Sequence, residues 1–257
     1  MQIPRPRHAP VTRAGTPAAR TSGSTALVAE RPAARATWPT ALAVISGDDV
    51  YEDLFTAASA LESALTDEGF AIRTRLGTAA LDGAARTDVI VLYTALGRFT
   101  SGQRAALAQA VRGGCGLVAL HSTTVLASPP DQLHEGDRLL AELIGSRYVS
   151  HGPRPHESRF EVRLDPDHEL TTGIAPFEVT HEHYRLATRP DVRVVAWRQT
   201  GAGLEPLVHT RRFGNGRVVY IQLGHDMRIW GEPRMRRLLR RAARWACRPD
   251  QPVQNEE

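Results

Sequence analysis

The sequence contains no lysine, and all 32 of its permanently charged basic residues are arginines. It has only two cysteines, Cys115 and Cys247, which excludes a disulfide framework and a CxxC metal site. No stretch approaches the roughly 20 consecutive apolar residues that a membrane helix needs. The N-terminus lacks the apolar segment of a secretory signal. We therefore expect a globular, cytoplasmic protein that does not bind a membrane.

The positive charge is concentrated near the N-terminus. Residues 1–38 carry six arginines and one acidic residue, Glu30, in a segment rich in Ala, Pro, Thr and Ser. Since this segment has a net charge of +5 and the whole chain +4, the remainder is close to neutral, at −1. Such a composition is typical of disorder. We predict a disordered tail over 1–38, one α/β domain over 39–248 and a flexible C-terminus over 249–257.

Short apolar runs alternate with helical patterns through the first half of the domain. Helices are predicted at 52–68 and 100–111, and buried strands at 41–46, 70–76, 88–94 and 116–120. In the second half we predict a helix at 233–246 and strands at 158–164, 192–197, 207–213 and 217–223. The glycines of Gly214-Asn215-Gly216 indicate a hairpin between the last two strands. This order predicts a doubly wound, mostly parallel sheet with an antiparallel hairpin extension.

Polar residues follow several of the predicted strands. In open α/β sheets, ligands bind outside the carboxyl ends of the strands. Three clusters occupy such positions: Ser46-Gly47-Asp48-Asp49, His121-Ser122-Thr123-Thr124 and Gly224-His225-Asp226. Two further clusters fall in predicted loops of the second half: His151-Gly152 and His181-Glu182-His183-Tyr184. The sequence therefore predicts a functional site along this edge of the sheet.

An ordered series of short motifs resembles the ThuA-like (trehalose utilisation) family. The motifs lie between about Ala41 and Ala246 and are GGCGLVALHS, LLAELIGSRYVSHG, DPDHELTTGI, HEHY, RRFGNGRVVYIQLGHD and the final WGEP. The resemblance implies a flavodoxin-like fold of the class I glutamine amidotransferase-like superfamily. The chain departs from the usual family pattern at His181, which replaces an Asp, at Glu169, which replaces a Pro, and at Asp48-Asp49, where His or Asn is frequent.

The resemblance also implies that the nucleophilic cysteine of the amidotransferases has been lost. His121 and Ser122 stand in its place at the strand-to-helix elbow, and Cys115 precedes the strand, so we do not expect amidotransferase chemistry. Ser122 as a nucleophile would need a neighbouring base. The elbow also lacks the G-x-S-x-G glycines that expose such a serine. A Ser122-dependent hydrolase is the weaker alternative.

Histidines and one acid converge on the predicted site. The residues predicted to act in acid/base or nucleophilic chemistry are His121, Glu182, His225 and Ser122. A divalent metal, Zn²⁺ or Mn²⁺, would take His121, His151, Glu182 and His225 as ligands, and the alternative is a metal-free sugar pocket. Substrate contacts are predicted for Gly47, Asp48, Tyr184, Asp226 and Trp230. For some of these a structural role is an open alternative: Asp48 or Asp49 as a helix cap, and Tyr184 or Trp230 as packing.

Two interpretations of function follow. The resemblance implies a carbohydrate- or glycoside-processing enzyme, a lyase or hydrolase that eliminates, hydrates or isomerises an oxidised, keto-type sugar. The alternative is a non-catalytic sugar-binding or structural module, because a fold does not fix a function. We expect no nucleotide cofactor and no nucleic-acid partner, since the arginines of the last helix lie opposite its apolar face. The possibility of a homo-oligomer stays open.

Overall fold

The computed structural model describes residues 38–47, 53–94, 99–129 and 131–247 of the 257-residue chain. The predicted tail, apart from Trp38, lies outside the described residues. So do the predicted C-terminus at 249–257 and the residues Asp48 and Asp49. The division of the chain into tail, domain and C-terminus therefore stays a prediction.

The described residues form a nine-stranded mixed sheet and a separate two-stranded sheet. The strands are β1 (Thr40–Ser46), β2 (Ala71–Leu76), β3 (Val89–Thr94), β4 (Gly116–Leu120), β5 (Ser146–Ser150), β6 (Glu157–Leu164), β7 (Phe177–Glu182), β8 (Arg185–Thr188), β9 (Arg193–Thr200), β10 (Gly203–Phe213) and β11 (Gly216–Ile221). The large sheet has the order β2-β1-β3-β4-β11-β10-β9-β6-β7. Its first five strands are parallel, and its last four form the antiparallel extension. The predicted fold class is confirmed.

Five α-helices accompany the strands in the described part of the chain. They are α1 (Leu54–Asp67), α2 (Ser101–Arg112), α3 (Glu135–Ile144), α4 (Met227–Trp230) and α5 (Pro233–Cys247), with short 3-10 helices at Thr78–Arg86 and His121–Thr124. Thr100 caps α2 through a capping box with Gln103, as its position predicts. The prediction that Asp48 or Asp49 caps α1 is wrong: Asp53 accepts the Thr56 N–H at 2.9 Å, so the helix begins at Leu54.

Side chains of β1 alternate between the two faces of the sheet, and each face is covered by helices. Ala41, Ala43 and Ile45 pack in a buried cluster with α1 and α5. Leu42 and Val44 pack in a second cluster with α2 and α3. A strand that is buried on both faces reads as a continuous apolar run, which is why these central strands are visible in the sequence.

The second half contains elements that the sequence prediction lacks, among them β8 and α4. No element is predicted between 121 and 157, yet α3 and β5 form there. The segment HEHY is predicted as a loop, but His181 and Glu182 end strand β7. Alternate residues of this strand, Phe177, Val179 and His181, face inward. Because one of the three is a histidine, the apolar–polar alternation that predicts a strand is incomplete in the sequence.

The hairpin between β10 and β11 forms as predicted, with Phe213 opposite Gly216. Gly214 has φ 62°, and a Cβ there would lie 2.8 Å from Cα of Arg112. Glycine is therefore required both for the turn and for the close approach of α2.

Arginines on α5 contact neighbouring elements of the domain. Arg244 donates to the backbone oxygen of Glu68, the C-terminal cap residue of α1, and Arg237 donates to the oxygen of Gly173 at 3.1 Å. Such cations at free carbonyl groups satisfy acceptors that a helix or turn leaves unpaired. No helix among the described residues is long and apolar enough to cross a membrane.

Candidate active site

His121 is placed by the parallel strand β4. Leu120, the last residue of that strand, pairs with Tyr93 of β3 and with Ile221 of β11, so the chain leaves the sheet between two strands. His121 has φ 42°, in a left-handed region that non-glycine residues rarely adopt. Its carbonyl oxygen accepts the Tyr220 hydroxyl at 2.9 Å. A buried contact thus holds the backbone in a conformation that directs the imidazole over the end of the sheet.

The imidazole of His121 is completely buried and contacted at both nitrogens. Nδ1 lies 2.8 Å from the carbonyl oxygen of Gln222, to which it donates. Nε2 therefore faces the Tyr184 hydroxyl at 2.8 Å and Oε2 of Glu182 at 3.4 Å. Because a carbonyl fixes which nitrogen carries hydrogen, Nε2 is the nitrogen left to bind either a proton shared with Glu182 or a cation.

Glu182 is the centre of the cluster, since its carboxylate contacts three histidines. Oε2 lies 3.4 Å from Nε2 of His121 and 3.3 Å from Nδ1 of His225, and Oε1 lies 2.8 Å from Nε2 of His151. Burial alone would raise the pKa of this carboxyl. The hydrogen bond and charge of His121, with the charges of His225 and His151, outweigh burial and hold the pKa at about 2. Glu182 is thus a carboxylate at neutral pH.

The hairpin of β6 and β7, which we call the acid arm (157–182), carries Glu182 to the site. At its far end the arm joins the sheet through the pairing of Arg163 and Leu164 with β9. At the near end, Gln222 clamps the residues that follow the arm: its Oε1 accepts the Tyr184 N–H at 3.0 Å, and its Nε2 donates to the Tyr184 oxygen at 3.1 Å. The side-chain amide of Gln222 therefore fixes the backbone of Tyr184, and the backbone oxygen of Gln222 fixes the imidazole of His121.

His181 attaches the acid arm to the loop that carries His225. Its Nε2 accepts the backbone N–H groups of Gly224 and His225, each at 3.1 Å. An acceptor at Nε2 requires the neutral imidazole, and burial lowers the pKa of His181 to about 3. The role of His181 is missing from the sequence prediction, which treats it only as a departure from a family motif. A polar residue alternating with Phe177 and Val179 is the signal that could have revealed it.

His151 joins the cluster from the end of β5 and contacts Glu182 from the opposite side. Its Nδ1 lies 2.6 Å from the Tyr148 hydroxyl. Burial, followed by the charge of Glu182, raises the pKa of Tyr148, so the phenol keeps its proton and donates to Nδ1. Nε2 of His151 then carries hydrogen and donates to Glu182, which leaves this ring no lone pair for a metal. Tyr148 is a further site residue that the sequence prediction does not include.

A three-residue group in the described part of the chain has the chemistry of a metal site. One ligand atom from each of His121, Glu182 and His225 lies within 4.8 Å of the others. Two imidazoles and a carboxylate fit a catalytic zinc or manganese centre with room for water or substrate. Nδ1 of His225 is buried and has no hydrogen-bond partner among the described residues, which also suits a ligand. The predicted fourth ligand, His151, lies outside this group.

Other predicted site residues have different surroundings. Ser122 is 3% exposed, and its hydroxyl has no hydrogen-bond partner among the described residues. Gly47 is exposed at the end of β1, and Asp48 lies outside the described residues. Asp226 caps α4 by accepting the Arg228 N–H at 2.8 Å, and its predicted substrate contact stays a prediction.

Trp230 is buried beside the loop that carries His225. It is 4% exposed, donates to the Gly224 oxygen at 3.1 Å and packs edge-on against Tyr93 with the ring centroids 5.6 Å apart. These contacts agree with the packing alternative, and a substrate contact of Trp230 stays a prediction. The pKa of the Cys115 thiol is raised to about 12 by burial, with the charges of Asp88 and Cys247 adding to the effect. A thiol of this kind is a poor nucleophile.

Comparisons with known proteins agree with this fold. The model of the family ThuA, described as trehalose utilisation, matches residues 42–246. A protein described as ThuA-like from Bacteroides uniformis superposes with a TM-score of 0.65 at 18% identity, over 84% of this chain and 95% of its own. A cytoplasmic protein from Salmonella typhimurium gives 0.60 at 13% identity, over 81% and 98%.

The amidotransferase-like fold is also represented among the solved structures. A protein described as a GMP synthase subunit from Thermoplasma acidophilum superposes with a TM-score of 0.53 at 12% identity, over 81% of this chain and 94% of its own. None of the curated proteins matches the sequence.

Proposed function

The chain belongs to the ThuA family, described as trehalose utilisation, and from this premise we propose that it is an enzyme that transforms a keto-type sugar or glycoside by acid/base chemistry. The observation that carries the proposal is the contact of one partly buried carboxylate, Glu182, with three histidines near the carboxyl ends of the parallel strands. Charged and hydrogen-bonded groups of this kind are costly to bury, and they concentrate at sites of chemistry.

The Glu182 carboxylate is better suited to stabilise a positive charge on a neighbouring group than to remove a proton from carbon. A general base works best with a pKa near the operating pH, whereas the Glu182 pKa is about 2. The proton acceptor that we propose is His225, whose side chain is 24% exposed and whose Nδ1 lies 3.3 Å from Glu182. Glu182 would stabilise the imidazolium that forms when His225 takes the proton next to the ketone.

In the metal-free form, His121 carrying a proton on Nε2 as well as on Nδ1 is proposed to bind, together with Tyr184, the sugar oxygen on which negative charge develops. Nε2 of His121 and the Tyr184 hydroxyl lie 2.8 Å apart, in a site where both side chains are buried. Donors fixed in advance around a developing oxyanion lower the barrier because they need no rearrangement during the reaction. Loss of the substituent β to the ketone would complete an elimination, and return of the proton to a different atom of the enolate would complete an isomerisation. A hydration is the elimination in reverse: water adds to the unsaturated ketone, and His225 returns the proton to the carbon next to the ketone.

A divalent ion, Zn²⁺ or Mn²⁺, would be held by His121, Glu182 and His225, and when bound it would supply Lewis acidity that polarises a ketone. The donor set fits such an ion, as described above. A His225 nitrogen that ligates an ion cannot also accept a proton, so metal content decides which role His225 has.

The test combines elemental analysis with a substrate screen. Tag-free protein and the His121→Ala/His225→Ala double variant are analysed for bound metal, then assayed on 3-keto glycosides and their reduced parents. We expect turnover of the keto forms only, and its loss in the double variant. About one equivalent of metal that is absent from the variant would assign His225 as a ligand. Full activity in His121→Ala would contradict the proposal, and a bound but unaltered sugar would favour the non-catalytic module.

The Ser122 hydrolase is not supported by the site geometry. Ser122 is almost completely buried, and no base hydrogen-bonds its hydroxyl among the described residues. A serine-reactive fluorophosphonate should therefore leave the protein unlabelled.

A further inference from the structure

A groove rich in arginine lies between α3 and the β5–β8 pair, on the strand that leads to His151. It has a volume of about 400 Å³, and its walls include Arg138, Arg147 and Arg189. Glu142 is the acidic residue among those that line it. Arg189 is paired with Asp191 at 3.4 Å. The guanidinium groups of Arg138 and Arg147 against the Glu142 carboxylate therefore give the groove, which we call the basic groove, a net positive charge.

Its arginines are incompletely paired. Neither Arg138 nor Arg147 forms an ion pair within the described part of the chain, and Nη1 of Arg147 is buried without a hydrogen-bond partner there. The hydroxyl of Ser146, in a residue that is 2% exposed, also lacks a partner among the described residues. Buried donors are nearly always satisfied in folded proteins. Oxygens of a bound anion would satisfy donors of this kind.

A second cavity adjoins the basic groove and extends to Tyr148, next to the proposed active site. It has a volume of about 270 Å³ and shares Leu133 and Arg147 with the groove. Its other walls are largely apolar, including Leu126 and Val149, and it also reaches Tyr148. Tyr148 donates to His151, which contacts Glu182. Active site, apolar cavity and basic groove thus follow one another along β5.

The length of β5 sets the spacing of these parts. Five residue steps separate Ser146 from His151, which follows the last residue of the strand. A strand rises about 3.3 Å per residue, so the two residues are at most about 16 Å apart. A glycoside with an aglycone or second ring of intermediate length can reach from one to the other.

We propose that the substrate of this site, on the basis of the proposed function, is a glycoconjugate that carries an anionic group. The sugar occupies the His–Glu cluster, an apolar part lies in the cavity beside Tyr148, and a phosphate, sulfate or carboxylate binds Arg147 and Arg138 in the basic groove. Arginine suits this role because its planar fork binds such anions through two hydrogen bonds.

The binding test uses phenyl phosphate, which supplies a ring for the apolar cavity and a phosphate for the groove, without a sugar. Titration calorimetry compares it with inorganic phosphate and with the neutral benzyl alcohol. We expect phenyl phosphate to bind more tightly than either, and Arg147→Gln to weaken it by about tenfold or more, as for the loss of a charged hydrogen bond. Arg73→Gln, an exposed arginine on the edge strand β2, is the matched control and should leave binding unchanged.

Two outcomes would overturn the inference. One is an equal loss of binding in Arg147→Gln and Arg73→Gln, which would reflect general attraction of anions. The other is equal affinity for inorganic and phenyl phosphate, which would make the groove a free-anion site that is independent of the substrate. His121→Ala should bind phenyl phosphate normally, so a failure of the proposed chemistry is measured separately from a failure of the basic groove.

Discussion

Nε2 of His121 lies 3.4 Å from Oε2 of Glu182, although the two residues come from opposite parts of the sheet. His121 follows a strand of the parallel core, and Glu182 ends the last strand of the antiparallel extension. Gln222 contacts both sides of this pair: its main-chain oxygen accepts from the His121 imidazole, and its side-chain oxygen accepts the Tyr184 N–H. The chemistry of the site therefore depends on how the two parts of the fold are joined.

Replacement of Glu182 by Gln should abolish most of the activity while the fold is retained. The neutral amide cannot stabilise a protonated histidine, and we expect turnover to fall by about 10²–10⁴-fold, the range for loss of an acid/base group. Steady-state kinetics on a keto glycoside measures the effect. Glu178→Gln, on the same strand but exposed and paired with Arg159 at the surface, is the control. Similar losses in both variants would contradict the assignment.

Tyr148→Phe and His151→Asn should reduce activity but leave metal content unchanged. The reason is that His151 donates to Glu182 and has Nδ1 occupied by Tyr148, so it offers no lone pair to an ion. Elemental analysis of both variants, with His225→Ala for comparison, checks the prediction. Loss of metal in His151→Asn alone would restore His151 to the ligand set.

Gln222→Leu should destabilise the domain by about 3 kcal/mol. The substitution removes the hydrogen bonds to the Tyr184 N–H, the Tyr184 oxygen and the Pro206 oxygen, and it leaves buried backbone groups unsatisfied at about 1–3 kcal/mol each. Urea denaturation gives the free energy of unfolding. Gln199→Leu, an exposed site on β9, should change it by less than about 0.5 kcal/mol.

As the pH is lowered, the free energy of unfolding should begin to decrease near pH 6.5, well above the pH at which carboxylates are protonated. Burial lowers the pKa of His181 to about 3 and that of His209 to about 4, from 6.5. Below pH 6.5 the unfolded chain therefore binds protons that the folded protein does not, and the free energy of unfolding decreases as the pH falls toward 4. Above pH 6.5 this contribution is fully present.

A variant can isolate one of these histidines. His209→Gln keeps a donor toward the Ile144 oxygen, which accepts from His209 at 3.2 Å, and removes the titrating ring. Urea denaturation at several pH values between 4 and 7.5 should show a shallower pH dependence than in the wild type. His134→Gln, at an exposed position before α3, should keep the original slope. An unchanged slope in His209→Gln would contradict the proposed cause.

The parallel half of the fold and the positions of His121 and His225 could be predicted from the sequence. Strands such as β3 are apolar at nearly every position, and parallel strands bring their carboxyl ends to one edge. The position of Glu182 at the end of a strand could not be predicted, because the inward residues of β7 include His181. The contacts of Tyr148 and Gln222 depend on the docking of remote elements, which no local pattern records.

The acid arm has a consequence for how such proteins diversify. The histidines at positions 121 and 225 come from the parallel core, whereas Glu182 comes from a hairpin joined to β9 through the pairing of Arg163 and Leu164. Insertions, deletions or exchanges within the hairpin leave the pairing of the core strands intact. Changes confined to the acid arm can thus alter the reaction while the parallel core still folds.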